Sequence, residues 1–584
     1  MGGDLRSIRR RFAVAAGLAA GTSALVVVAV LIIGSAPVAG AHRASKAEIA
    51  ALPAEAAGHP ILTPFKHPVP SSGLQANLAP KDASSSSPWK PLVNPPPFQT
   101  PGTMLLESDG TVLVHNEPDN DTVAATNQWW KLTPDANGSY ADGTWSQIAS
   151  MPSNYAPLYF GSAILPDGRM IVEGGEYNGE NAVWTNQGAI YDPVTNSWRS
   201  VPAPRGWTNI GDAASEVLND GTFMLEHPCN TCTTDPEPTV DDALLNAKNL
   251  TWTVIPATGK EDPNDEEGWT LEPSGQVLTV DTWAAVGGSQ LFNPGSNTWS
   301  FSGAEAPGGF PLNPWPVVEI GPQAEMPGGN VFVVGAGTST DEYPNPCTTN
   351  TPTQNGLYQY KAGTMGSWAA PPEIPTVGGE QYASTDGPAA TLPDGTVLFD
   401  ASACTYNIPT HFWIYNPAGT GNGTLTQIPD APNAENDTSY QTRMLDLPNG
   451  QVLYNDGSSE MEVYTGSGAP NRAWAPSIRS LSDTNLRRGG TYSLSGSQLA
   501  GLDQGAAYGD DVQDNTNFPL VRITNSATGV VTYARTHDWT SVSVAPGTRS
   551  STEFSLPWNT PKGRGTLVVI ANGIASSPST VNVS

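Results

Sequence analysis

Seven short stretches of this chain obey one rule, and that rule leaves few folds open. "MLLESDGTVLVHNE", "AILPDGRMIVEGG", "SEVLNDGTFMLEH", "TLEPSGQVLTVDT", "AEMPGGNVFVVGAG", "ATLPDGTVLFDAS" and "LDLPNGQVLYNDG" share it. In each, an apolar strand meets a proline or polar residue, then a glycine turn, then a β-branched strand. The turn glycines are Gly110, Gly168, Gly221, Gly275, Gly329, Gly395 and Gly450, spaced by 58, 53, 54, 54, 66 and 55 residues. Asp-Gly or Asn-Gly between such runs marks a β-hairpin. A second hairpin recurs between the copies, in "IYDPVTNSWRSVP", "LLNAKNLTWTVIP", "QLFNPGSNTWSFSG" and "FWIYNPAGTGNGTLTQIP", with a tryptophan on the outgoing strand of the first three. Two hairpins make a four-stranded unit, and a period of about 50 residues is that of kelch blades. One twisted sheet cannot bury both faces alone, whereas seven packed radially around a channel can. The expectation is an all-β chain with a seven-bladed kelch-type β-propeller over residues 95–471.

At 584 residues the chain exceeds one ordinary core. Its 60 Gly, 54 Pro and 17 Trp, with 14% charged residues, suit a turn-rich β protein. From Arg472 the pattern changes to short alternating strands, ending "GRGTLVVIANGIASSPSTVNV", so residues 472–584 are expected to form an immunoglobulin-like β-sandwich. At the other end, "RSIRRRF" sets four arginines before an uncharged apolar run over residues 12–33. That run is long enough to span a bilayer as a helix, with the arginines on the cytoplasmic side and the rest exported. "APVAGAHRA" offers a cleavage site after Ala41, so residues 1–41 read as a signal-anchor or a signal peptide. Residues 42–94, rich in Pro, Ala and Ser, read as an extended linker. The protein is expected outside the cytoplasm, either held to the membrane by an uncleaved helix or secreted. The formal charge of −29 argues against nucleic acid or an anionic membrane surface as partner.

Four cysteines in an exported chain suggest two disulfides, with three connectivities open. The pairing expected is Cys229 with Cys232, in "EHPCNTC", and Cys347 with Cys404. Cys347 lies in the long connection of the fifth repeat, whose slack can bring it to the sixth blade.

The order of linker, seven blades and sandwich, with "MEVYTGSG" followed by "APSIRSLSDTNLRRGG", resembles the galactose oxidase and glyoxal oxidase family of copper radical oxidases. "YGDDVQDNTNFPLVRITNSATGVVTYARTH" resembles the family's bacterial kelch relatives. The likeness covers residues 95–584. It implies one copper held by two tyrosines and two histidines, with one tyrosine thioether-linked to a cysteine. Counting nine residues back from the turn glycines puts Tyr159 where the cysteine is expected. Asp212, or Trp207 in a register set by "RGW", stands where the cross-linked tyrosine is expected, and Gln441 stands where a histidine would follow Tyr440. "ARTHDW" offers His537 as the remaining histidine, and the aromatic expected near Asn230 to stack over the radical is missing. Only Tyr440 and His537 match, so copper radical chemistry is not expected.

The same count puts Pro101, Tyr159, Asp212, Glu266, Ile320, Asp386 and Gln441, with Glu319 beside the fifth, where the innermost strands start. Carboxylates converging there could hold a hard cation through oxygen or accept hydrogen bonds from sugar hydroxyls. Because charged residues are mostly exposed, solvated loop ends are the plainer expectation. The candidate pocket is Tyr159, Asp212, Glu266, Asp386, Tyr440, Gln441 and His537, and no metal is assigned to it. Glu226, His227, Cys229 and Cys232 lack the second cysteine pair of a structural zinc site, and Asp510, Asp511 and Asp514 lack the spacing of an EF-hand loop. The function expected is a monomeric binding module for a carbohydrate or cell-wall ligand, without chemistry or a cofactor of its own. The alternative is a copper-dependent oxidase of alcohols or aldehydes with an altered site.

Overall fold

The computed structural model describes residues 87–584 except 118–124, 180, 228–240, 262–263, 265, 283–287, 305–308, 313–318, 338–346 and 510–513. Among the described residues there is no α-helix, and no helix is long and apolar enough to cross a membrane. The expected helix over residues 12–33 and the pair Cys229 and Cys232 lie outside the described residues.

Seven sheets, antiparallel except for the outermost strand Gly303–Ala304 of the fifth, follow one another along the chain. Their innermost strands are Pro101–Leu106, Gly161–Ile164, Ser215–Val217, Thr270–Leu271, Gln323–Glu325, Ala389–Thr391 and Arg443–Asp446. Each runs into its turn glycine, and all seven glycines have φ between 75° and 89°, a left-handed conformation that glycine adopts at no steric cost. In every turn the glycine N–H donates to the carbonyl three residues earlier, as Gly110 does to Glu107 at 2.9 Å and Gly450 to Leu447 at 2.9 Å. One turn chemistry thus fixes one strand register seven times.

The outer strands carry the contacts that join neighbouring blades. Trp198 of blade 2 donates its indole N–H to Ala149 O behind blade 1 at 2.8 Å, and Trp252 of blade 3 to Pro202 O behind blade 2 at 2.8 Å. Trp299 of blade 4 reaches Asp242 Oδ2 of blade 3 at 2.9 Å, and Trp368 of blade 5 reaches Ser289 Oγ of blade 4 at 2.6 Å. Blade 6 uses an amide instead, Asn422 Nδ2 to Ala370 O at 2.9 Å.

Blade 7 is closed by chain from the far end of the domain. Trp89–Pro91 pairs antiparallel with Met461–Tyr464 as its outermost strand. It comes from the stretch read in sequence as linker. Its Trp89 follows the same rule, donating to Pro429 O behind blade 6 at 2.8 Å, while Trp145 of blade 1 donates to Asn94 O at 3.0 Å. Trp89 is 2% exposed and packs against Phe412, Tyr454 and Tyr464 with ring centroids 4.8, 5.2 and 4.9 Å away. Cys347 and Cys404 form a disulfide with Cα atoms 5.6 Å apart, tying the fifth repeat to blade 6.

Apart from the strand Ala506–Ala507, residues 477–583 build a further, mainly antiparallel sheet. Its strands pair in the order Ser477–Leu481, Thr491–Ser497, Arg549–Ser555, Val531–His537, Leu520–Asn525, Gly563–Ala571, Ser579–Val583, and a parallel end strand, Asn485–Leu486. Leu494 and Phe554 from one half share a core with Val521, Leu567 and Val581 from the other, so the sheet folds over on itself. This domain docks on the turn side of blades 1–3: Thr536 N donates to Ser108 O at 3.1 Å, Trp539 N to Pro166 O at 3.1 Å and Arg535 Nη1 to Asp167 O at 3.1 Å.

Removing the closing tryptophan tests this account of ring closure. Trp89→Ala should lower unfolding stability by about 3–5 kcal/mol in denaturant melts, the range for truncating a buried aromatic. An exposed linker residue would shift it by no more than about 0.5 kcal/mol.

Candidate binding site at the channel mouth

The innermost strands run from one end of the channel to the glycine turns at the other. A residue nine positions before a turn glycine therefore stands at the mouth opposite the docked domain. Tyr159, Glu266 and Asp386 occupy this position in blades 2, 4 and 6, and all three have left-handed φ angles, 52°, 56° and 47°. Non-glycine residues rarely adopt that region. Its recurrence at equivalent positions marks a shared bend where the chain enters the innermost strand.

Three carboxylates converge there. Oxygens of Glu266, Glu319 and Asp386 all lie within 4.8 Å of one another. Glu319 is 3% and Asp386 8% exposed, which corrects the expectation of solvated loop ends for these two, while Glu266 is half-buried. Tyr406 bonds to two of the three, its hydroxyl 3.1 Å from Glu319 Oε1 and 3.4 Å from Asp386 Oδ2. Burial, then the charges of Glu319, Asp386 and Glu266, push this phenol well above its ordinary value, so it stays a proton donor. Tyr406 lies between the strands Val397–Ala403 and Asn407–Asn416 of blade 6, two residues beyond the disulfide at Cys404. Nothing in the sequence pattern singles it out.

From Tyr406 the site continues into blade 7. Tyr440, 1% exposed, meets it edge-on with ring centroids 5.5 Å apart. The Tyr440 carbonyl accepts hydrogen bonds from Tyr508 Oη at 2.7 Å and Arg443 Nη1 at 2.6 Å, and the Arg443 guanidinium lies 4.1 Å from the centre of the Tyr508 ring. Gln441 belongs to the same short 3-10 turn, where its side-chain oxygen accepts from Thr438 at 3.3 Å.

Tyr508 belongs to the C-terminal domain, which sends residues 503–509 up the channel. Gln504 accepts from Leu271 N of blade 4 at 2.7 Å and donates to Glu216 of blade 3 at 2.8 Å. Ala506 and Ala507 pair with Ala390 and Ala389 of blade 6. Gly509 packs so closely on Asp386 that a β-carbon would meet its Cα at 2.7 Å. The chain returns at residues 514–516, where Thr516 N donates to Gln504 O at 2.9 Å.

His537 is placed elsewhere, which corrects its inclusion in the pocket. It ends the strand Val531–His537 on the turn side of the propeller, with Nδ1 2.7 Å from Asp538 and Nε2 3.1 Å from Ser555. Its neighbour Thr536 is bonded to the blade 1 turn, so the residue cannot reach a mouth at the other end of the channel. Tyr159 packs near Tyr177, ring centroids 6.4 Å apart. Asp212 follows Gly211 just before the innermost strand of blade 3. His227 follows Phe223–Glu226, at the end of that strand away from the glycine turn. It is buried and stacked on Trp207, centroids 4.0 Å apart and rings 11° from parallel. Burial pushes the His227 imidazole down to about 4, so it is neutral near pH 7.

The donor set does not fit the copper that the resemblance implies. The gathered groups are three carboxylates and a phenol that stays protonated, oxygen donors suited to a hard cation or to hydroxyl groups rather than to a nitrogen-seeking copper.

No protein-family model matches the chain. A kelch-like protein, terF, of Aspergillus terreus (strain NIH 2624 / FGSC A1156) is 26% identical over 199 residues, 33% of this chain; the match spans 41% of that relative's length. Among solved structures, a fungal alcohol oxidase of the AA5 family in complex with copper aligns over 85% of this chain and 99% of its own, at 13% identity and a TM-score of 0.44. The extracellular domain of the putative one component system BT4673 from B. thetaiotaomicron aligns over 83% and 56%, at 10% identity and a TM-score of 0.37.

Tyr406 is the test of how the mouth is held. Tyr406→Phe removes a donor shared by two buried carboxylates and should lower stability by about 1–3 kcal/mol in denaturant melts near neutral pH.

Proposed function

We propose that this chain is an exported recognition module whose propeller binds a polyhydroxylated ligand, a carbohydrate of a cell wall or of the surroundings, at the channel mouth. The observation that carries the reading is the convergence of Glu266, Glu319 and Asp386 around Tyr406. Closely set carboxylates can each accept hydrogen bonds from adjacent sugar hydroxyls. The C-terminal domain is assigned an immunoglobulin-like sandwich fold, supported by its antiparallel pairing and self-enclosed core. Export is supported by the arginine-led apolar run at residues 12–33 and by the Cys347–Cys404 disulfide, which persists in oxidising compartments. Whether held by that helix or released, the protein works as a monomer outside the cytoplasm.

The test is calorimetric titration of the exported portion with galactose, glucose and N-acetylglucosamine oligomers. Saturable binding is expected, weakened about tenfold or more by Asp386→Asn, a loss of about 1.4 kcal/mol. Asn tolerates the left-handed φ at this position, so the substitution replaces an acceptor oxygen with an amide donor without forcing the backbone. Peroxide release from galactose, glyoxal or simple alcohols should be undetectable after copper loading. Turnover that Tyr440→Phe abolishes would replace this reading with the oxidase.

A further inference from the structure

The segment that climbs the channel is walled by carboxylates. Glu216 of blade 3, Glu325 of blade 5 and Asp446 of blade 7 lie on innermost strands, and Glu272 directly follows that of blade 4. The climbing segment itself adds Asp503, and its return adds Asp514. None of the six is more than 4% exposed. Both carboxylate oxygens of Glu325 and of Asp446, and one each of Glu272 and Asp514, have no hydrogen-bond partner.

The bonds that seat the segment come from neutral donors and acceptors. Gln504 bridges Glu216 and Leu271 N, Asn515 Nδ2 lies 3.4 Å from Glu216 Oε1, and Asn572 Nδ2 donates to Asp503 Oδ1 at 2.6 Å. The charged and titratable surroundings are acidic. Glu325 faces Asp503, Glu272 and Glu216, while Asp446 faces Asp503 and Asp514. Tyr358 and Tyr360 face Glu272, and Tyr360 also faces Glu325. Among the described residues Arg443 acts on this set through Asp514, and its guanidinium is already engaged with Tyr440 O and the Tyr508 ring.

We propose that residues 503–509 and 514–516 form a proton-controlled plug, seated in the channel while this wall of carboxylates is protonated and released as it ionises. A partnerless carboxylate shut off from water is tolerated only in its neutral form. Burial pushes Glu216 and Glu272 up to about 8 and Asp503 up to about 7, and holds Glu325, Asp446 and Asp514 well above the carboxylate range. Release returns these groups to water and to ordinary values near 4.5 for Glu and 3.8 for Asp. The seated state therefore binds more protons than the released one from about pH 4 to about 8. Stability of the seat is full below that window and falls as pH rises through it. Release would also take Tyr508 away from Tyr440 and Gly509 away from Asp386, so the mouth would lose the part supplied by the second domain.

Amide hydrogen exchange on the full exported portion, corrected for the intrinsic effect of pH, reads this directly. Between about pH 5.5 and about pH 8.5, protection of Ala507 and Thr516 should fall at least about tenfold, while Leu113 and Leu225 inside blades 1 and 3 keep theirs. Glu325→Gln and Asp446→Asn, neutral at every pH, should each shrink that fall. Gln504→Ala, which removes a neutral clamp, should move the loss of protection to lower pH. Equal protection at both pH values, an unchanged fall in both neutral variants, or a parallel loss in the blades would overturn the proposal.

Discussion

Ring closure in this protein rests on one repeated contact, a side-chain N–H on the outer part of each blade that donates to the blade behind it. A four-stranded sheet with two apolar faces has no stable existence in water, so each blade needs a neighbour on both sides. Trp198, Trp252, Trp299 and Trp368 make the contact in order, and Asn422 substitutes an amide in blade 6. Each bond is worth only about 0.5–1.5 kcal/mol net, but each also fixes the depth at which a large indole is inserted between two sheets. Trp89 and Trp145 carry the pattern across the junction between the chain's two ends. The last interface therefore resembles the others, although its partners Trp89 and Pro429 are 340 residues apart.

A closed ring leaves a channel, and here the channel is filled by a second domain rather than by side chains alone. Ala389 and Ala390 leave room for backbone to pair with blade 6, and Gly509 meets Asp386 without a side chain between them. Charge favours the same docking. Residues 87–471 hold 9 Lys and Arg against 44 Asp and Glu, whereas residues 472–584 hold 9 against 7. A strongly acidic propeller thus receives a slightly basic partner domain, and Arg535 contacts the blade 2 turn at Asp167. The mouth is composite as a result: carboxylates from blades 4 to 6, aromatics from blades 6 and 7, and Tyr508 from the domain beyond.

Much of the fold was legible in the sequence because it is local. The seven turn glycines predicted the innermost hairpins, and counting back from them picked out Glu266 and Asp386, with Glu319 beside the fifth position. The pairing of Cys347 with Cys404 followed from the slack in the fifth repeat, and the structure contains that bond. His537 went wrong for a physical reason. It was matched to a family pattern within its own strand, while the part of that domain entering the channel is the stretch around Tyr508, some thirty residues earlier. Tyr406 and Arg443 carried no sequence signal, since a single tyrosine in a loop and a single arginine at a strand start look like any others.

By itself, the sequence determined the repeat: turn chemistry and period-two apolar strands act over a few residues and specify the same hairpin wherever they occur. Only the tertiary structure decided which segment completes blade 7, what enters the channel and which side chains meet at its mouth. Those contacts join residues tens to hundreds of positions apart, and their geometry is set by the closure of the ring, which no short stretch of sequence encodes.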